Sequence, residues 1–160
     1  MTVRCPRCQS ENPSGNSVCH QCGMELPSET ADYGSKLISA LDHPEPETPV
    51  RAAWILGELR ETRAVDALVR LLEKGHDPYI LAGAAEALGK IGEARTTAVL
   101  AKALASSYLL VRLKAVEALG RLGGDDARQA LRSALEDPNP SVRKAAAKTL
   151  QRLDREGVQL

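Results

Sequence analysis

The chain has 160 residues, enough for one sizeable domain or a small one beside a medium one. Twenty-one Lys and Arg balance 21 Asp and Glu, so nothing in the net charge calls for a nucleic acid or an anionic membrane. With no Phe, one Trp and three Tyr, there is little to build a base-stacking surface or a deep cofactor pocket.

The first element, residues 1–26, holds all four cysteines. Its opening MTVRC lacks the apolar core of a signal peptide, and no apolar run reaches the ~18 residues that span a bilayer. A cytoplasmic protein with no membrane partner is expected, in a compartment where disulfides are not maintained. The spacing Cys5-x-x-Cys8, ten residues, Cys19-x-x-Cys22 places two pairs of thiolates on short turns that can converge on one tetrahedral ion. Asn12-Pro13-Ser14-Gly15 supplies the reversal between them, with Pro second and Gly fourth as in a type I turn. Gly23 follows the second pair, and Gln9 stands where the first turn would have had its own glycine. His20 reads as an exposed spacer.

Two disulfides would suit a secreted mini-domain, and a thioredoxin-like site would need a βαβ context that is missing here. Iron in a rubredoxin-like site uses the same four ligands, and spacing does not separate it from zinc. A closed four-sulfur shell leaves no open position, so the ion is structural. The segment cannot bury a core of its own, so metal binding, worth about 10–16 kcal/mol in comparable peptides, must fold it. One structural zinc per chain is expected, held by Cys5, Cys8, Cys19 and Cys22. The segment resembles the short zinc ribbons at the N-termini of many prokaryotic proteins, with their Cys-Pro-x-Cys-Gly and second Cys-x-x-Cys-Gly.

Residues 27–32 read as a linker, 33–155 as a repeat array and 156–160 as a tail. Leu56-Gly57, Leu88-Gly89, Leu119-Gly120 and Leu150-Gln151 recur at steps of 32, 31 and 31 residues. Around them stand RAAWILGEL, GAAEALGKIG, KAVEALGRLG and KAAAKTLQRL. A second segment recurs between them, with Leu68, Leu100 and Leu131 equivalent and an earlier copy in KLISAL. Val111, Ala115, Ala118, Leu119 and Leu122 share one stripe of a helical wheel. Asp77-Pro78 and Asn139-Pro140 read as N-cap and first helical residue, and Gly92 and Gly123 as C-terminal caps. The pattern predicts eight helices, over 31–42, 48–59, 63–74, 79–91, 94–106, 109–122, 125–136 and 140–153. No pair buries its apolar face alone, so the pairs must stack into an all-α solenoid.

The copies of V-R-x-x-A-x-x-A-L-G resemble HEAT repeats of the short variety shared with phycobilisome lyases, over about residues 33–155. In that family an Asp six residues before the Arg ties repeats together. Asp137 with Arg143 matches; Ser106 before Arg112, and Asp77 before Gly83, do not. The first copy departs too, with Val50-Arg51 two places late.

His20, His43 and His76 are isolated, so the His-Glu pairs of HEAT-like deoxyhypusine hydroxylases are missing. No phosphate-binding loop, nucleophile elbow or His-Glu-x-x-His occurs. Arg63, Arg70, Arg95, Lys102, Arg128 and Arg132 populate the second helices, interrupted by Asp66 and Glu73 and accompanied by no ring. The expected function is a non-enzymatic scaffold that binds a protein or peptide. A nucleic-acid adaptor using the ribbon and the basic face is the second reading, and a bilin-lyase-type attachment protein the third. Candidate contacts are Arg70 and Lys102, on an exposed ridge with Ser39 and Ser133, and Trp54. By offset Trp54 stands in a column of charges with Glu86, Glu117 and Lys148. A shifted first copy would bury it in the core, a ribbon contact would cover it, and otherwise it is an exposed hot spot. The sequence leans toward a covered ring.

Overall fold

The computed structural model describes residues 2–26 and 32–157. The expected linker therefore lies outside the described residues except for Asp32, as do the last three residues of the expected tail. Strands β1 (Thr2–Arg4) and β2 (Glu11–Pro13) pair antiparallel, with Val3 opposite Asn12. Eight α-helices follow among the described residues. They are α1 (Tyr33–Ala40), α2 (Glu47–Glu58), α3 (Val65–Lys74), α4 (Pro78–Ile91), α5 (Thr97–Ala103), α6 (Leu109–Leu122), α7 (Gly124–Ser133) and α8 (Pro140–Gly157).

Several helix ends lie where their capping residues place them. The Asp32 carboxylate accepts the Ser35 amide at 2.8 Å and so starts α1. Asp77 accepts from the Tyr79 and Ile80 amides, and Pro78 opens α4 where its missing N–H costs nothing. Asn139 caps the Ser141 amide at 2.9 Å. Gly92 and Gly123 close α4 and α6 with φ of 83° and 65°. Arg60 takes the equivalent left-handed place after α2, at φ 50°, where a side chain is strained.

Several expected boundaries differ. The turns Thr62–Ala64 and Ala94–Thr96 ahead of α3 and α5 are 3₁₀, as is Ala134–Glu136 after α7, because single turns at helix ends tighten readily. α1 stops at Ala40, and α8 runs on through Gly157, past the expected 153.

The helices stack in two layers. α2, α4, α6 and α8 touch in succession, and α3, α5 and α7 form the other layer, each paired with the helix that follows it. Leu56, Leu88 and Leu119 from one layer and Leu68, Leu100 and Leu131 from the other are fully buried. One core runs from Leu37 to Leu153, so each repeat completes its neighbour's interior.

The recurring Leu-Gly pair has a packing cause. A Cβ on Gly57 would lie 2.9 Å from the Ala87 Cα, and one on Gly89 2.6 Å from the Ala118 Cα. A Cβ on Gly120 would strike the Thr149 methyl. Gly57 and Gly89 are thus where one helix crosses the next at backbone distance, and Gly120 is where the Thr149 side chain takes that space. Gln151, the last copy's equivalent, is exposed, and no further helix packs on α8 there among the described residues.

Asp137 and Arg143 do tie the repeats, through two separate contacts. The Arg143 guanidinium donates to the Asp137 backbone carbonyl at 2.8 Å, as that of Arg112 does to the Ser106 carbonyl at 2.9 Å. The Asp137 carboxylate reaches across to Arg112 of the preceding repeat, at 2.8 and 3.3 Å. The arginine closes its own turn, and the aspartate joins two repeats.

The ribbon rests on the first repeat. The Arg7 guanidinium lies 3.9 Å from Asp42, and the Gln9 amide 3.0 Å from the His43 ring.

Candidate metal centre and exposed clefts

The ribbon is built from one unit used twice, fourteen residues apart. The Gln9 amide donates to the Cys5 carbonyl, and the Gly23 amide to the Cys19 carbonyl. The Cys5 amide donates to Ser10 and the Cys19 amide to Met24, again at equivalent places. Arg4 pairs with Glu11 in the strands, as Val18 does with Glu25. Both turns need a left-handed residue: Gly23 has φ 70°, and Gln9 accepts the same strain at φ 60°. The expected reversal lies one residue later than the sequence suggests. Asn16 closes it on the Pro13 carbonyl with Gly15 at φ 107°, because Asn12 is fully buried in β2. Asn12 there accepts from the His20 backbone amide at 3.0 Å and contacts its ring Nδ1 at 2.8 Å. His20 is exposed, as expected, but it braces the second turn rather than merely spacing it.

The two turns bring Cys5, Cys8, Cys19 and Cys22 together, every Sγ within 4.8 Å of the others. Two opposed pairs, Cys5–Cys22 and Cys8–Cys19, lie at 3.5 Å. A disulfide needs about 2.05 Å. Four thiolates about 2.3 Å from a central ion stand about 3.8 Å apart, so this set fits a tetrahedral metal site. The sulfurs are electrostatically frustrated without an ion. Burial opposes ionisation of Cys19, yet the Ser10 hydroxyl and the amides of Cys22 and Gln21 lower its thiol to about 5. At Cys22 the Met24 amide favours the thiolate, but burial and the neighbouring sulfurs outweigh it and push the thiol up to about 12. A divalent cation removes that conflict, since it holds all four as thiolates at once.

Of the three expected partner residues, Arg70 and Lys102 line separate clefts on one layer, and Trp54 stands apart from both. Arg70 lines a cleft of about 280 Å³ between the ribbon and α3, with Arg7, Asp42 and Lys74. Lys102 lines another of about 410 Å³, with Glu73 and Val111. Arg70, Lys102 and Ser133 are exposed, as the ridge requires, and Ser39 is half-buried. Arg63 pairs with Asp32 and Glu61, Arg95 with Asp66, and Arg128 with Asp125 and Asp154, so half of the basic second-helix set is neutralised.

Trp54 lies on the other layer and is 57% exposed, which corrects the leaning toward a covered ring. The first repeat is not shifted: Leu56 is fully buried and Gly57 makes the same crossing as Gly89. Trp54 keeps its place in the charged column, with the Lys90 Nζ 6.0 Å from the ring centroid. A ladder runs beside it across α2, α4 and α6: Glu58, Lys90, Glu86, Lys114 and Glu117 pair in turn at 2.6–3.1 Å. Lys90 above all, with Lys114, draws Glu86 down to about 2. Trp54, Tyr79, Val50 and Leu110 line a shallow cleft over these three helices.

The family model for HEAT repeats matches residues 34–109 and 103–159. The chain belongs to the HEAT-repeat family. Two solved structures are similar to it. An engineered protein shares 26% identity and a TM-score of 0.61, over 76% of this chain and 62% of that one, so the chain spans less than two thirds of its length. The complex of CpcE and CpcF of phycocyanin lyase from Nostoc sp. PCC7120 shares 25% identity and a TM-score of 0.52, over 91% of this chain and 72% of that one. No curated protein matches the sequence.

Several HEAT-array residues went unnoticed in the sequence. Tyr79 is 67% exposed, and Leu109 and Leu110 are exposed just ahead of the buried Val111. Two leucines off the apolar stripe at a helix start were the available signal. Ser10, 3.0 Å from Cys8 Sγ and 3.1 Å from Cys19 Sγ, had none in the spacing. No described helix is long and apolar enough to cross a membrane.

Proposed function

We propose that this chain is a non-enzymatic, cytoplasmic scaffold that holds a protein partner on its HEAT array, with one structural zinc in the ribbon. The observation that carries the reading is the exposed strip on α2, α4 and α6. Two of the chain's four aromatic side chains, Trp54 and Tyr79, share one cleft there with Leu110. Aromatic anchors of this kind dominate binding energy at protein interfaces. Arg70 and Lys102 are proposed as contacts in clefts of their own. The four cysteines form a closed set, and their soft donors and tetrahedral spacing suit zinc.

The test is photo-crosslinking from position 79 in cells, followed by reconstitution with the captured protein. Trp54→Ala is expected to weaken that complex about thirtyfold or more, a loss of ~2 kcal/mol. Retention of full affinity by both Trp54→Ala and Tyr79→Ala removes this face from consideration. The similarity to a lyase complex supports a second reading, chromophore attachment. A covalent bilin adduct formed on a phycobiliprotein subunit in the chain's presence would establish it over the scaffold.

A further inference from the structure

The cleft between the ribbon and α3 carries an unbalanced charge in a neutral protein. Arg7 comes from inside the first cysteine turn, while Arg70 and Lys74 come from one face of α3, four residues apart. Leu41, Ala67 and Leu71 form the apolar part of the lining. Asp42 is the single carboxylate lining it, 3.9 Å from Arg7 and 40% exposed. Among the described residues no carboxylate pairs with Arg70 or Lys74, whereas Arg63, Arg95 and Arg128 on the same layer all have one. The acids that interrupt this face in sequence do not line the cleft. Asp66 holds Arg95 at 2.7 Å, and Glu73 lines the next cleft with Lys102. Lys74 sits in the last turn of α3, whose carbonyl end offsets part of its charge. Arg7 and Arg70 are left as two planar guanidinium groups around one cavity, a donor set matched to carboxylates.

We infer that this cleft binds an acidic segment of a protein partner, its carboxylates against Arg7 and Arg70; this rests on the reading that the chain works by binding protein. A nucleic acid fits less well. The cleft presents no ring for a base, and Asp42 stands beside Arg7 where a phosphate backbone would run on. The site is also joined to the metal. Arg7 stands between Cys5 and Cys8, so an ion held by the four cysteines would fix one of the two guanidinium groups.

The experiment uses the full zinc-loaded chain and a fluorescein-labelled peptide of six consecutive glutamates, followed by anisotropy at low salt. Arg7→Glu and Arg70→Glu are each expected to weaken binding about three- to tenfold, the range for reversing one exposed charge pair. Chelation should do what Arg7→Glu does, while Lys144→Gln, at an exposed position of α8 away from every cleft described, leaves the affinity unchanged. All these side chains are exposed, and circular dichroism checks that the variants keep their helices. The inference is overturned if the wild-type chain does not bind the peptide, if Arg7→Glu and Arg70→Glu bind it as tightly as wild type, or if a 12-nucleotide single strand binds more tightly. Loss of the captured partner on Trp54→Ala with no change on Arg70→Glu would sink the cleft and spare the scaffold. Peptide binding by a chain whose partner ignores Trp54 and Tyr79 would do the reverse.

Discussion

Gly83 and Gly89 lie in the same helix, six residues apart, and alanine should act oppositely at the two. Alanine in a helix interior gains about 0.5–1 kcal/mol over glycine when nothing obstructs its methyl group. At Gly83 the new Cβ would stand 3.9 Å from the Ala53 Cβ and 4.0 Å from the Val50 carbonyl, which is ordinary contact. At Gly89 it would stand 2.6 Å from both the Cα and the Cβ of Ala118. The obstacle there is the backbone of α6, which cannot rotate away, so the two helices must separate by most of an ångström. Overpacking costs about 1–3 kcal/mol, and an immovable backbone puts this case at the upper end. Net of the helical gain, Gly89→Ala should lose about 2 kcal/mol, while Gly83→Ala gains up to about 1. For an array of this size each kcal/mol moves the melting temperature by about 3–5 °C. Thermal unfolding followed by circular dichroism should show Gly89→Ala melting about 6–10 °C lower and Gly83→Ala a few degrees higher. A Gly89→Ala chain as stable as wild type would refute the crossing as the reason for the Leu-Gly repeat.

Two other outcomes follow from the metal site and from Asp137. Purified protein should contain about one zinc per chain. Chelation should disorder the ribbon while leaving the helical signal and the red-shifted emission of exposed Trp54 nearly unchanged, since the array has its own core; collapse of the helical signal would contradict separate cores. Burial raises the pKa of Asp137, but the Asn139 amide and the Arg112 guanidinium outweigh it and hold the carboxyl below the usual range. A lowered folded-state pKa means stability that is present above the unfolded value of about 3.9 and lost as the pH falls through the folded one. Asp137→Ala should cost about 2–3 kcal/mol at pH 7 and little once the wild-type carboxyl is protonated. An equal cost at both extremes would assign the loss to packing instead.

The repeat was legible because its physics is local and periodic. Each Leu-Gly pair marks a buried side chain beside a helix crossing, and each proline or glycine boundary sits at a helix end. The cysteines were legible for the same reason: two turns of fixed length must bring four sulfurs together. What the spacing did not reveal depended on neighbours distant in sequence. The Asp137 carboxylate bonds an arginine 25 residues away, while the arginine six residues on takes only its backbone carbonyl. Arg70 shares a cleft with Arg7 only because the ribbon rests on the first repeat. Whether Trp54 is covered could not be read from the late Val50-Arg51, since the register of α2 is set by Leu56 and Gly57.

That register gives Trp54 its meaning. Its equivalents in the next two repeats are Glu86 and Glu117, both members of the ion-pair ladder that joins α2, α4 and α6. A charge at this position would extend the ladder; the ring ends it, and Lys90 is shared between Glu58, Glu86 and the ring face. Nothing in the packing requires tryptophan here, because the side chain is more than half exposed and the core beneath is completed by Ala53 and Leu56. Exposing so large an apolar surface gains no stability from burial within the chain. The gain comes when something else covers it, and Tyr79 and Leu110 widen the surface that would be covered together. A position that breaks the repeat's own charge pattern without serving the fold is where a partner is expected to act.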